Sequence, residues 1–138
     1  LLAYPFSNLI VAACGIPNVA MRIAVVGSRR RTDRATLVAW LHAHVQPGDS
    51  LVSGGARGPD TWAEEIAREL EVPITVHRPA YQQQASNRAQ VMAAIRRRNQ
   101  TIAEDCDVVV ALVAPDRKGG TEMTVRAAEK LGRRVILL

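Results

Sequence analysis

LVSGGARGPDTWAEE, residues 51–65, runs from a short apolar segment through a loop of small residues into a helical pattern. The loop consists of small residues with one cation among them: Ser53, Gly54, Gly55, Ala56, Arg57 and Gly58. Pro59 suits the first turn of a helix, because its ring fixes φ and it has no N–H to leave unpaired. The stretch therefore predicts a β-strand and a helix, joined by a loop with few bulky side chains, so that its backbone amides can approach an anion.

The order of strand, loop and helix repeats along the chain. Short β-branched apolar runs, typical of strands buried on both faces, lie at 22–27, 50–53, 73–77, 107–113 and 134–138. Between them, apolar residues recur at helical spacing: Leu37, Val38, Leu41 and Val45; Trp62, Ile66 and Leu70; Val91, Ile95 and Ile102; Met123, Ala127 and Leu131. We predict an α/β fold, a three-layer, Rossmann-like, doubly wound parallel sheet of about five strands in the order 3-2-1-4-5.

Length and composition indicate one domain. The chain has 138 residues, of which 48% are hydrophobic, enough for a single compact core. Residues 1–20 carry no charge and differ in character from the rest, so we interpret them as an extension outside the core, with a targeting segment as the alternative. The predicted domain is 21–138, with Met21 as its natural start.

Charge and cysteine usage narrow the function classes. The net charge is +5, and the basic residues are sixteen arginines and two lysines. The arginine bias suits phosphate binding, because guanidinium groups bind phosphate in a bidentate manner. The alternative is that a genome rich in G and C encodes arginine in place of lysine. Cys14 and Cys106 have no CxxC partner and no neighbouring histidine cluster, which argues against a disulfide framework, a metal site or a cofactor held by thiolates. We predict a cytoplasmic protein without a membrane span, metal or cofactor.

Three loops at the predicted carboxyl ends of strands combine small residues with cations. They contain Gly27, Ser28, Arg29, Arg30 and Arg31 after the first strand, 53–58 after the second, and Asp116, Arg117, Lys118, Gly119, Gly120 and Thr121 after the fourth. Each leads into a helix N-terminus, where free N–H groups and the helix dipole attract anions. A phosphate-bearing ligand is the favoured interpretation, and purely structural glycine turns are the alternative.

Common nucleotide motifs are missing from these loops. The first loop reads GSRRRT rather than GxGxxG, and no acidic residue ends the second strand, so the ribose contact of an NAD site is absent. No GxxxxGK[ST] sequence occurs, which argues against a P-loop ATPase.

Arg98 interrupts the apolar stripe of the third helix. Steps of four, three and four from Val91 place it on the inward face with Ile95 and Ile102. A buried arginine needs a partner, so Arg98 reaches either an acidic ligand or Asp60 in this interpretation. The alternative is that the helix ends early and 96–98 form a solvated cluster.

Four segments carry a resemblance to a known family: IAVVGSRRRT, SGGARGPDTWAEEIA, RRRNQTIAEDCDVVVALVA and GGTEMTVRAAEKLGRRV. Together they resemble the SLOG superfamily of Rossmann-like proteins, and among its branches the DprA/Smf proteins, which bind single-stranded DNA and assist recombinase loading. SGGARGPD is equally similar to the small YspA-like members. The resemblance implies binding of single-stranded nucleic acid or of a nucleotide, and a homo-oligomer, most simply a dimer.

Departures from the family pattern limit what the resemblance implies. An aromatic residue usually precedes the Arg-Asn pair in the DprA branch, and Ile95 stands there instead. The related LOG phosphoribohydrolases use PGGxGTxxE, whereas this chain has DRKGGTEMT with Thr124 at the glutamate position. Because threonine replaces the glutamate of the motif, a hydrolase would have to use Asp60 or Glu122 as its catalytic carboxylate. We therefore favour a binding protein over an enzyme.

Three functions remain at this point: a single-stranded nucleic-acid binder, a small-nucleotide binder or sensor, and, last, a phosphoribohydrolase. The predicted ligand-binding residues are Gly27, Ser28, Arg29, Ser53, Gly54, Gly55, Arg57, Gly58, Asp60, Arg98, Asn99, Gly119, Gly120, Thr121 and Thr124. In this hypothesis the serine and glycines of the second loop supply amides, Arg57 and Arg98 supply charge, and Asp60 orients one of these arginines.

Overall fold

Five parallel strands and four helices alternate along the part of the chain that the structure describes. The computed structural model describes residues 19–80 and 87–138, so Cys14 and most of the uncharged extension lie outside the described residues. The elements are β1 (Arg22–Gly27), α1 (Arg34–His44), β2 (Ser50–Ser53), α2 (Pro59–Leu70), β3 (Ile74–Val76), α3 (Arg88–Glu104), β4 (Val108–Leu112), α4 (Gly120–Lys130) and β5 (Arg134–Leu137). The alternation predicted from the sequence is confirmed.

The strands form one sheet in the order β3-β2-β1-β4-β5, as predicted. All four neighbouring pairs are parallel, and Gly27 at the end of β1 lies beside Leu112 at the end of β4. The chain runs outward from β1 to β3 and then returns to β4 on the other side of β1. This reversal opens a crevice at the carboxyl ends of β1 and β4, where doubly wound proteins bind their ligands.

Each face of the sheet carries a pair of helices. Ile23 and Val25 of β1 pack with Leu37 and Leu41 of α1 and with α2, while Ala24 and Val26 belong to the opposite core with α3 and α4. Alternate residues of one strand therefore enter two separate cores, as the two-residue period of a strand requires. The three-layer architecture is confirmed.

The edge strands differ from the prediction. The central strands are almost completely buried, but β3 is only half-buried throughout and both ends of β5 are exposed. An edge strand has a neighbour on one side only, so its apolar sequence does not imply burial on both faces. Both edges are also shorter than the predicted runs at 73–77 and 134–138.

The buried stripes of α3 and α4 are also displaced from the predicted ones. Side chains of α3 that are buried are Ala94, Asn99, Ile102 and Ala103, and those of α4 are Glu122, Thr124, Val125 and Ala128. Met123 and Ala127 are only half-buried, and Leu131 is exposed. The two helices pack against each other as well as against the sheet, so their apolar residues are divided between two contacts.

Local residues define the ends of three helices in different ways. Pro59 occupies the first turn of α2, and Gly132, with φ of +74°, follows the end of α4. Asp33 lies at the N-cap of α1, but its side chain forms no capping hydrogen bond. Instead, Arg31 donates to both carboxylate oxygens of Asp33, at 2.8 and 2.6 Å, and this bonding holds the pKa of Asp33 well below its usual range.

Candidate anion-binding site

A cavity of about 630 Å³ lies in the crevice at the carboxyl ends of β1, β2 and β4. Twelve of the fifteen predicted site residues line it: Gly27, Ser28, Arg29, Gly55, Arg57, Asp60, Arg98, Asn99, Gly119, Gly120, Thr121 and Thr124. Three loops far apart in sequence and the middle of α3 thus converge on one concavity. Its volume lies within the range of small-molecule sites in proteins.

The remaining three predicted residues, Ser53, Gly54 and Gly58, do not line the cavity. The buried Ser53 hydroxyl donates to the carbonyl of Asp60 at 3.2 Å and accepts from the amide of Gly55 at 3.1 Å. Gly58 is the N-cap of α2 with φ of +85°, a left-handed conformation that favours glycine. Ser53 and Gly58 therefore contribute to the conformation of the loop.

Three amides of the second loop donate to acceptors within the protein. The N–H groups of Gly54 and Ala56 donate to Oδ2 of Asp60, at 3.0 and 3.3 Å. The Gly55 amide donates to Ser53. The prediction that Gly54 and Gly55 offer amides to a ligand is therefore wrong, because buried backbone donors are satisfied within the loop.

Asp60 acts on the loop rather than on Arg57. It is almost fully buried, and its carboxylate accepts the two loop amides just described. Desolvation raises the pKa of Asp60 to about 6, while the amides of Ala56 and Gly54 and the charge of Arg98 oppose the rise. Asp60 and Arg98 are linked through Gly54, whose amide and carbonyl they bind, and the charge of Arg98 acts on the Asp60 carboxylate.

Arg98 lies on the inward side of α3, as the periodicity predicts. Its Nη1 donates to the carbonyl of Gly54 at 2.5 Å, and its Nε donates to Oδ1 of Asn99 at 2.8 Å. The helix does not end early, since α3 continues to Glu104. Arg98 therefore joins the middle of α3 to the loop after β2 and still lines the cavity.

Asn99 connects α3 to the N-terminus of α4. Its Nδ2 donates to the carbonyl of Gly120 at 3.4 Å, and the Thr124 hydroxyl donates to the same carbonyl at 3.2 Å. Gly119 is the N-cap of α4 and has no side chain to accept the first amides of the helix. The amides of Gly120 and Thr121 have no intrahelical acceptor, so this helix end offers N–H groups to an anion in the cavity.

The arginine run after β1 divides into different roles. Arg29 is exposed and lines the cavity, and Arg30 lines it while pairing with Asp116 at 2.7 Å. Arg31 points elsewhere: besides holding Asp33, its Nη1 donates to the carbonyls of Val113 and Leu138, each at 3.0 Å. Only two of these three cations therefore face the cavity.

Arg78 is a cavity residue that the sequence reasoning missed. It follows β3, lines the cavity, and donates to the carbonyl of Gly55 at 3.2 Å. The signal was present, because Arg78 stands close after a strand, as Arg29 does. Arg30 and Lys118 also line the cavity, so that six basic side chains and Asp60 belong to one lining.

Gly27 has a packing role in addition to lining the cavity. A Cβ atom at this position would lie 2.4 Å from Cγ of Pro59 and 3.1 Å from Cβ of Leu112. Such a close approach leaves no room for any side chain. The glycine therefore lets the first turn of α2 lie directly against the end of β1.

No family model and no curated protein matches the chain. Among solved structures, a match is found with the X-ray structure of DNA processing protein A (DprA) from Streptococcus pneumoniae. The TM-score is 0.64 and the sequence identity is 21%, over 86% of this chain and 50% of that chain. This chain has a DprA-like fold, similar to that of about half of the DprA chain.

The match with DprA concerns architecture. At 21% identity it establishes the fold, and this chain spans about half the length of that DprA. The shared fold agrees with the fold that the sequence resemblance implies.

Within this DprA-like fold, Glu122 does not line the cavity. Arg117 donates to both of its carboxylate oxygens, at 2.5 and 2.8 Å, and this bonding lowers the pKa of Glu122. Thr124 lines the cavity at the position where the LOG motif has its glutamate. Among the described residues, Asp60 is then the carboxylate available in the cavity, and it is already bound by two amides.

Two further features were predicted to be missing, a metal site and a membrane span. Residues 19–80 and 87–138 contain no cluster of three histidine, cysteine, aspartate or glutamate side chains able to hold a metal ion. In the same ranges, no helix has the length and apolar character needed to cross a membrane. Cys106 is buried, which raises the pKa of its thiol to about 12.

Proposed function

We propose that the cavity binds the phosphate groups of single-stranded nucleic acid. The observation that carries this proposal is the convergence of six basic side chains on one concavity in which, among the described residues, Asp60 supplies the single carboxylate. The cations come from four loops and from α3, so the fold itself brings them together. A protein with the same fold is a DNA processing protein, which supports this choice of ligand.

The cavity offers two kinds of phosphate contact. Arg29 and Arg57 are exposed at its rim, where a guanidinium can bind two phosphate oxygens at once. The first amides of α4, at Gly120 and Thr121, are fixed donors with the positive end of a helix dipole behind them. A phosphate between these groups replaces its hydration shell with oriented donors.

Binding in this cavity rests on phosphates rather than on bases. Among the described residues, the lining contains no aromatic side chain on which a base could stack. Trp40 and Trp62 instead pack against the core on the α1 and α2 side of the sheet. We therefore expect little sequence preference and a strong dependence on salt.

A small nucleotide is the second candidate ligand. Pro79, Ile95 and Ile102 form an apolar part of the lining beside the cations. A cavity of about 630 Å³ is large enough for one nucleotide with its base against these side chains. This alternative uses the same residues and differs in the length of the ligand.

Titration of a fluorescent oligothymidine at several salt concentrations, beside a panel of mononucleotides, tests the proposal. We expect the logarithm of the association constant to fall with the logarithm of salt concentration by about 0.7 for each phosphate contacted. Arg57→Ala should weaken binding and lower this slope by about 0.7, because it removes one phosphate contact.

Arg68→Ala is the matched control, because Arg68 is exposed on α2 and does not line the cavity. The control should bind like the unaltered protein. Saturable binding of one mononucleotide with a flat salt slope would favour the second candidate instead. An equal loss of affinity in Arg57→Ala and Arg68→Ala would contradict both candidate functions, because binding would then depend on net charge and not on the cavity.

Membership of the DprA branch, a homodimer and a cytoplasmic location remain predictions from the sequence. Light scattering of the purified chain measures the oligomeric state directly.

A further inference from the structure

A second groove, of about 520 Å³, runs between α3 and α4 beside the cavity. Its charged lining residues are Arg96, Arg117, Lys118, Glu122, Arg126 and Lys130. Five of these six are basic. Met123 and Ala127 give the groove an apolar part where the two helices pack.

The groove and the cavity share a border. Asn99, Lys118 and Gly119 line both of them. Lys118 and Gly119 belong to the loop that precedes α4, and Asn99 joins this loop to α3 through its bond to Gly120. None of these three border residues is acidic, so a phosphate chain leaving the cavity here meets a cation rather than a carboxylate.

The carboxylate of Glu122 in the groove is already neutralised. It is bound by the Arg117 guanidinium through both oxygens, and Arg126 Nε lies 3.9 Å from Oε2. Arg96, Lys118 and Lys130 add charge that exceeds what this carboxylate can balance. Isolated cations on a helix face are usually solvated, but these come from α3, α4 and the loop between β4 and α4 and line one groove.

We infer that single-stranded nucleic acid held in the cavity continues across Lys118 and Gly119 into the groove between α3 and α4. This inference rests on the proposed function and adds a path for the adjoining phosphates. A mononucleotide cannot use the groove and the cavity together. The groove therefore converts a phosphate pocket into a site for a polymer, with phosphates following the cations and no base recognition required.

Neighbouring arginines on α3 provide a matched comparison. Arg96 lines the groove, whereas Arg97, the next residue of the helix, is exposed and lines neither groove nor cavity. The double variant Arg96→Ala/Lys130→Ala removes two cations from the groove. The double variant Arg97→Ala/Arg68→Ala removes the same charge from positions outside it.

The experiment measures the affinity of each protein for oligothymidines of about 4 and about 16 nucleotides, lengths that span known single-strand site sizes. We expect the groove variant to lose most of the gain in affinity that the longer oligonucleotide shows, and to lower the salt slope by about 0.7 for each cation removed. Its affinity for the short oligonucleotide should equal that of the control double variant. Melting curves followed by circular dichroism check that both variants are folded.

Two results would overturn the inference, and they are distinguishable. Equal affinity of the two double variants for the long oligonucleotide, with short-oligonucleotide binding intact, removes the path but leaves the proposed function standing. Failure of the unaltered protein to bind either length removes the proposed function as well.

Discussion

Asp60 and Arg98 hold the two backbone polar atoms of the same residue, Gly54. Asp60 Oδ2 accepts its N–H at 3.0 Å, and Arg98 Nη1 donates to its carbonyl at 2.5 Å. A negative and a positive side chain are thereby placed on either side of a residue without a side chain. The position of Arg98 in the cavity depends on this arrangement.

Gly54→Ala should disturb both contacts. The added Cβ would lie 2.8 Å from Arg98 Nη1 and 2.9 Å from Asp60 Oδ2. Overpacking of this kind costs about 1–3 kcal/mol of unfolding free energy, and oligonucleotide affinity should fall because Arg98 is displaced. Denaturant unfolding and the binding titration measure the two effects.

Gly120→Ala is the control for Gly54→Ala. Its Cβ would lie 3.6 Å from Asn99 Nδ2, which is an ordinary contact, and Gly120 is at a helix N-terminus. Its unfolding free energy should change by no more than about 0.5 kcal/mol. If Gly54→Ala changed the unfolding free energy as little as Gly120→Ala, the close contacts at Gly54 would be relieved by small shifts and the prediction would be wrong.

Protonation of Asp60 should make the folding free energy depend on pH. Its pKa is about 6 in the folded protein, against 3.8 for an ordinary aspartate, so the folded state binds this proton more tightly than the unfolded chain does. The stabilisation that the protonated Asp60 adds to the unfolding free energy is therefore fully present below about pH 4, and it is lost as the pH rises to about 6. At about 1.4 kcal/mol for each pKa unit, the loss is on the order of 3 kcal/mol.

Comparison with Asp60→Asn isolates this contribution, because other carboxylates such as Asp105 and Glu122 have lowered pKa values and act in the opposite direction. The unfolding free energy of the unaltered protein minus that of the variant should fall between about pH 4 and about pH 6. A difference that is constant across this window would contradict the raised pKa.

The same titration should appear in ligand binding. Protonated Asp60 removes the carboxylate charge from a cavity that otherwise attracts anions. Oligonucleotide affinity should therefore rise as the pH falls through about 6 in the unaltered protein, and this rise should be absent in Asp60→Asn. Phosphodiesters do not titrate in this window, so an identical pH profile in both proteins would count against Asp60 as the responsible group.

Arg29 and Arg31 should respond differently to substitution although they are two residues apart. Arg29→Ala should weaken oligonucleotide binding and change the unfolding free energy by no more than about 0.5 kcal/mol, because the side chain is exposed at the cavity. Arg31→Ala should lower the unfolding free energy by about 1–3 kcal/mol, because it removes hydrogen bonds to Asp33, Val113 and Leu138. Binding and denaturation of both variants check this, and reversed effects would contradict the assigned roles.

The sequence predicted the strands, their order and the convergence of three loops, because buried strands and glycine-rich turns have strong local signals. It also predicted that Arg98 faces inward, from spacing alone. It did not predict that the amides of Gly54 and Gly55 are bound internally, since that depends on where Asp60 and Ser53 lie in three dimensions. Met123 and Ala127 show a similar limit, because periodicity marks apolar residues without saying whether the sheet or a neighbouring helix covers them.

The contact between Gly27 and Pro59 fixes the framework of the site without involving the side chains that would bind a ligand. It sets how closely α2 approaches β1 by van der Waals packing alone, with no charged atom involved. The exposed arginines at the rim, such as Arg29 and Arg57, take no part in that packing. Redesign of the ligand preference can therefore exchange rim side chains while the framework keeps its shape, whereas any replacement of Gly27 forces the framework itself apart.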